Sequence, residues 1–311
     1  MLRFSVLLVI SACGSPAPPA TPSQATSAPV DRATVPLDVL GNRPYVELAL
    51  KASDGSLRMG RFLVDSGGGG FLLAEPFARS LGLTWGPAEA EEGKQMASVT
   101  SPVAAFIGDL PLELDAGRII VLVGETNLVP RGAPGRADGL LPGHVLARYH
   151  VVFDYPKATF TIARSGALPP VGAALPMPVG QGSGFPRTEI LVDGVRHGFL
   201  LDTGASFTMV SEVLLKTWGA AHPDWPRHPG AYGEAATLGG RTLETLSVAK
   251  LQWGDATLAE VGVTSQPEGT FEKWMSSMMA APIVGSLAGN VLKQFRVDLD
   301  YPNQTLYLAR P

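Results

Sequence analysis

The sequence has one cysteine, Cys13, so no disulfide can form within the chain and the fold must be held by its core. Charge is sparse as well: 17% of residues are charged, the net charge is -4 and basic clusters are missing, which leaves no electrostatic footprint for nucleic acid. The five histidines lack metal-ligand spacing, and His222 and His228 merely bracket a loop containing Pro and Trp, so no metal centre is expected. The apolar run Phe4 to Ile10 is too short to remain as a bilayer-spanning helix. Abundant instead are 36 Gly and 27 Pro, which imply many turns and suit short strands better than long helices. At 311 residues and 45% hydrophobic, the chain can bury a core for one large or two ordinary domains.

The N-terminus reads as a targeting segment. Met1-Leu2-Arg3 supplies one positive charge, an apolar run follows, and Ser11-Ala12 are the small residues expected before a cleavage point, giving a signal peptide over 1–12. Ile10-Ser11-Ala12-Cys13 resembles the lipobox of bacterial lipoproteins, in which the cysteine is lipidated and becomes the mature N-terminus. Gly14 after it, where Asp would suggest inner-membrane retention, implies an outer-membrane lipoprotein facing the periplasm or the surface; a plain secretory signal with an incidental cysteine is the alternative. From Gly14 to about Ala33 the chain is Pro, Ala, Ser and Thr, too poor in apolar surface to offset its ordering entropy, so 13–34 is expected to be a disordered tether.

The remainder is organised around Phe199-Leu200-Leu201-Asp202-Thr203-Gly204-Ala205-Ser206, an apolar strand ending in an acid, a small hydroxyl and a glycine. Burying that carboxylate costs free energy unless partners compensate. Phe62-Leu63-Val64-Asp65-Ser66-Gly67-Gly68 has the same order 137 residues earlier (202 minus 65). One Asp-[Ser/Thr]-Gly triplet is weak; two after matching strands are not. Hairpins Tyr45–Leu50 with Leu57–Val64, and Glu189–Val192 with Arg196–Leu201, should deliver the two acids, and each is followed by a helix, near Ala74–Leu81 and Ser211–Trp218. Further on, Gly139–Leu146 is copied by Gly285–Leu292, and Asp154-Tyr155-Pro156 by Asp300-Tyr301-Pro302, 146 residues apart (300 minus 154). Such a long period means a duplicated domain, with lobes over 35–170 and 171–311 joined through the Pro- and Gly-rich stretch near Ser165–Gly184.

In this pattern the chain resembles aspartic proteases of the retropepsin and pepsin type from about residue 40 to its end. The resemblance implies an all-β fold of two similar β-barrel lobes related by a pseudo-twofold axis, with few short helices. It implies a catalytic pair, Asp65 and Asp202, facing each other across the cleft of one monomer, with Ser66 and Thr203 tying each loop to the other lobe and Gly67 and Gly204 allowing close approach. Two such carboxylates share one proton, activate a water and cut peptide or protein substrates without metal or cofactor.

The chain departs from the family at three points. The first motif continues Gly68-Gly69-Gly70 where pepsin-like enzymes place a hydroxyl residue; Pro142 and Ala288 stand where the family has glycine; and Gly93–Pro102, the best flap position, has no tyrosine, while Tyr232 of the second lobe is a surface-turn tyrosine before it is a flap residue. Two functions follow: a membrane-tethered endopeptidase, or a protease-like module that binds peptide or protein without cutting, its first site loosened by the glycine run. Trp274-Met275-Ser276-Ser277-Met278-Met279 would pack in the core or line a hydrophobic subsite, Glu89–Glu92 would be a solvated loop, and Asp154 and Asp300 would form turns.

Overall fold

The computed structural model describes residues 30–91, 93–129, 134–229, 237–238, 241–242 and 244–311. The expected signal peptide, Cys13, most of the tether and Tyr232 lie outside the described residues. The fold is all-β with two similar lobes and short helices. The first lobe is a ten-stranded sheet carrying the hairpin Arg43–Lys51 and Leu57–Asp65; the second is a seven-stranded sheet carrying Arg187–Val192 and Val195–Asp202. In the second lobe, Leu191 and Val192 also pair with Gln252 and Leu251, closing most of the sheet on itself.

The alternation read in the sequence explains why these segments are strands. Leu48, Leu50, Phe62 and Val64 point into one core and Ile190, Val192, Phe199 and Leu201 into its continuation, each 1% exposed or less. In both lobes the acid-bearing strand pairs in parallel with the copied glycine segment: Leu141 lies beside Val64 and Leu287 beside Leu201. The helices fall where expected. Glu75–Ser80 has Pro76 in its first turn, and Glu212–Ala221 is capped by the Ser211 hydroxyl, which accepts from the Leu214 amide at 3.3 Å.

The lobes are joined by a third sheet of six strands, to which each half contributes three. Its order is Arg32–Pro36, Thr159–Ala163, His150–Asp154, Arg296–Asp300, Thr305–Ala309 and Ala173–Pro176. At its centre Val152 faces Asp298, two positions related by the 146-residue repeat, so the pseudo-twofold axis passes between them. Two expectations change here. The first strand, Arg32–Pro36, starts before Val35, because pairing with Thr159–Ala163 fixes residues whose composition alone suggested tether. Glu89–Glu91 is a strand paired with Lys94–Ser98, although all three residues are solvent-exposed as expected.

One face of the shared sheet carries a buried ionic cluster. His150 Nε2 contacts Asp298 Oδ1, and Arg296 bridges Asp298 at 3.2 Å and Asp154 at 3.3 Å. Asp154 and Asp300 also accept from the amides of Lys157 and Asn303, making the turns their sequence position suggested.

Candidate active site

Each acid-bearing strand runs out of its lobe's core and stops at a tight loop, and the two loops meet. The Ser66 amide donates to Thr203 Oγ1 at 3.0 Å and the Thr203 amide to Ser66 Oγ at 3.0 Å. The hydroxyls continue outward: Ser66 Oγ donates to the Leu201 carbonyl at 2.5 Å and Thr203 Oγ1 to the Val64 carbonyl at 2.7 Å. Both residues are 1% exposed or less, so these four hydrogen bonds satisfy buried polar groups across the lobe boundary. Two short helical turns support the loops from behind, the Gly143 amide donating to the Gly68 carbonyl at 3.2 Å and the Gly289 amide to the Ala205 carbonyl at 3.0 Å.

This grip brings Asp65 and Asp202 together. A Cβ on Gly204 would lie 2.3 Å from Asp65 Cγ, and one on Gly67 would lie 3.1 Å from Asp202 Cγ, so each motif glycine is the surface on which the opposite carboxylate rests. The Gly67 amide donates to Asp65 Oδ1 at 2.9 Å and the Ala205 amide to Asp202 Oδ1 at 3.0 Å. The glycine run also has a local consequence at its first member: a Cβ on Gly68 would meet the Leu140 side chain at 2.8 Å and the Asp65 carboxylate at 3.0 Å, so a side chain there would have to displace both. Gly69 has nothing within 4 Å and is not constrained in this way.

Both carboxylates are half-buried and hard to ionise together. Burial, reinforced by the charge of Asp202, pushes Asp65 up to about 7, against the pull of the Gly67 amide, Arg43 and the Gly68 amide. Burial raises Asp202 too, opposed by the Ala205 and Gly204 amides and by Arg43. Apolar side chains flank the pair. On one side Leu140, Leu72 and Ile120 lie against Gly68 and Gly70; on the other Leu200 lies against Gly67, in a cluster with Phe185, Phe271 and Ile283. Met209, Met275, Met278 and Met279 pack on this second cluster while Trp274 is exposed, so the methionine segment borders the site side of the second lobe.

Sequence reasoning missed Arg43, whose Nε donates to the Gly204 carbonyl at 2.6 Å. It belongs to no motif; its one visible signal is a cation at the start of a strand whose next residues are almost all buried. His222, considered earlier with His228, pairs with Asp193 and stacks on Trp225 at 4.0 Å between ring centres, a structural contact on the surface of the second lobe.

The sequence matches no family model and no curated protein. Among solved structures, the chain is similar to the aspartic proteinase from Irpex lacteus, with a TM-score of 0.52 and 11% sequence identity over 90% of this chain and 97% of that one. At that identity the likeness shows the fold: the architecture is that of a pepsin-like aspartic proteinase.

Proposed function

We propose that this chain is an aspartic endopeptidase in which Asp65 and Asp202 form an intramolecular catalytic pair acting on peptide or protein substrates. The observation that carries the reading is the convergence of two carboxylates, each resting on the other's loop glycine and held by the crossed Ser66 and Thr203 hydrogen bonds. Two like charges this close cannot both form readily, so the pair keeps one proton. The ionised member takes a proton from a water as its oxygen bonds to the peptide carbonyl carbon, and the neutral member donates its proton to the carbonyl oxygen. As the tetrahedral intermediate collapses, the newly protonated member gives its proton to the leaving nitrogen, the C–N bond breaks and the other member takes a proton from a hydroxyl of the intermediate, releasing an acid and an amine and leaving the pair with one proton. Nothing in this sequence requires a cofactor.

A peptide carrying a statine hydroxyl in place of the scissile bond tests the reading against simple peptide binding. A catalytic pair should bind it at least about a hundredfold more tightly than the same peptide without the hydroxyl, since transition-state analogues gain that much or more. Equal affinity for the two would leave a binding module. Envelope attachment belongs to the same proposal: the segment Ile10–Cys13 supports lipidation of Cys13 and an outer-membrane location, with the Pro- and Ser-rich stretch as tether. The full chain should partition into detergent and Cys13→Ser should not; a wild type recovered wholly in the aqueous phase removes the anchor.

A further inference from the structure

Arg43 follows the turn residues Gly41 and Asn42, whose φ values are 56° and 65°. It is 5% exposed, and among the described residues no other arginine or lysine is buried as deeply. Burying a guanidinium is costly unless its charge and donors are met, so its position calls for a chemical reason. The residues around it supply one. Arg43 Nε reaches from the first lobe to the Gly204 carbonyl at 2.6 Å, Asn42 Nδ2 donates to the Ser206 carbonyl at 3.1 Å, and Lys293 Nζ donates to Asn42 Oδ1 at 2.9 Å. The turn therefore grips the second aspartate loop on the segment that supports the Asp65 carboxylate.

The repeat puts different chemistry on the other side. Tyr45 pairs with Leu63 and Arg187 with Leu200, and Leu63 and Leu200 are equivalent under the 137-residue repeat, so the counterpart of Arg43 is Phe185. Gly184 packs on Gly143 as Asn42 packs on Gly289, which confirms the alignment. A chemically symmetric pair of aspartates thus has a guanidinium on one side and a phenyl ring on the other.

We propose that Arg43 is a positioning residue that locks the second aspartate loop and, as a buried cation on one side only, makes the two carboxylates inequivalent. The purpose of this arrangement rests on the protease reading; its test does not. The charge of Arg43 favours the ionised form of both Asp65 and Asp202. Among the described residues, charged or titratable groups of the surroundings include Lys293 behind Asn42, Tyr301, which feels the charge of Asp65, and Tyr45, under the Arg61 guanidinium that pairs with Asp38.

The experiment is carboxyl-carbon NMR of the full chain with labelled aspartate between pH 3 and 9, the two resonances assigned with Asp65→Asn and Asp202→Asn. In Arg43→Gln, which keeps a donor for the Gly204 carbonyl and removes the charge, the last deprotonation of the pair should move up by about one unit or more, a tenfold gain in proton affinity. Arg43→Lys should restore most of the wild-type titration. If Arg43→Gln does not fold, Arg43→Lys alone decides: a titration within about 0.3 units of wild type supports the charge role, and a full one-unit rise overturns it. A folded Arg43→Gln that titrates like wild type also overturns it. The readout needs no cleavage, so a chain that fails to cut peptides but shows the shift retains this role for Arg43 and loses only the protease reading.

Discussion

Asp65 is held where burial and the charge of Asp202 make its ionised form costly. Its folded value of about 7 lies above the ordinary 3.8, so between those values the folded chain keeps a proton that the unfolded chain has released. Stability contributed by the neutral form is therefore complete below about pH 4 and is lost as pH rises towards 7. Asp65→Asn removes the titration, and thermal unfolding should show a variant stabilised by several degrees at pH 7.5 and unchanged at pH 3.5; equal gains at both would place the cost elsewhere. The glycines make a second test at this scale. Gly204→Ala would drive a methyl to 2.3 Å from Asp65 Cγ, whereas Gly69→Ala meets open space. We expect Gly204→Ala to destabilise the chain by about 1–3 kcal/mol, the usual cost of overpacking, and Gly69→Ala to fall within about 0.5 kcal/mol of wild type in denaturant titrations.

Among the elements, the crossed loops and the shared sheet hold the two lobes together. Ser66→Ala and Thr203→Ala each leave buried amide and carbonyl groups unpaired, at about 1–3 kcal/mol apiece. Because each hydroxyl serves the other's amide, the double variant should lose less than the sum, by about 0.5 kcal/mol or more in a double-mutant cycle; strict additivity would mean that the loops do not cooperate. In the six-stranded sheet, Asp298→Ala would leave the buried His150 without its carboxylate and Arg296 with Asp154 alone, and should cost about 3–5 kcal/mol. Much of this level was legible in the sequence: alternation fixed both hairpins, Ser211 marked a helix start, and the two Asp-[Ser/Thr]-Gly loops named the residues the fold brings together. The shared sheet was not legible, because strands such as His150–Asp154 and Arg296–Asp300 are fully or largely buried, and nothing in a buried strand's composition says which distant strand it pairs with. Arg32–Pro36 escaped for the complementary reason, being an edge strand whose polar composition resembles the tether before it. The crowding at Gly68 was not legible either, since only the fold shows that a side chain there would press on Leu140 and the Asp65 carboxylate.

At the scale of the molecule, duplication accounts for most of what the chain can do. Two copies of one lobe place two copies of one acid about a pseudo-twofold axis, and small departures from symmetry, Arg43 against Phe185 among them, distinguish the copies. With both carboxylates raised, the shared-proton form should persist towards neutrality, so the rate profile should be bell-shaped, with an acid-side maximum and an alkaline limb near pH 7. The most direct measurement of the central claim incubates the full chain with a mixed peptide library from pH 3 to 7, with wild type, Asp65→Asn and Asp202→Asn side by side and each checked for folding. The account predicts that wild type cuts and that either substitution lowers cutting by about a thousandfold or more, since removing one member of a catalytic unit costs nearly as much as removing all of it. Folded wild type that cuts no peptide at any of these pH values, or an Asp202→Asn variant that cuts as well as wild type, would contradict it.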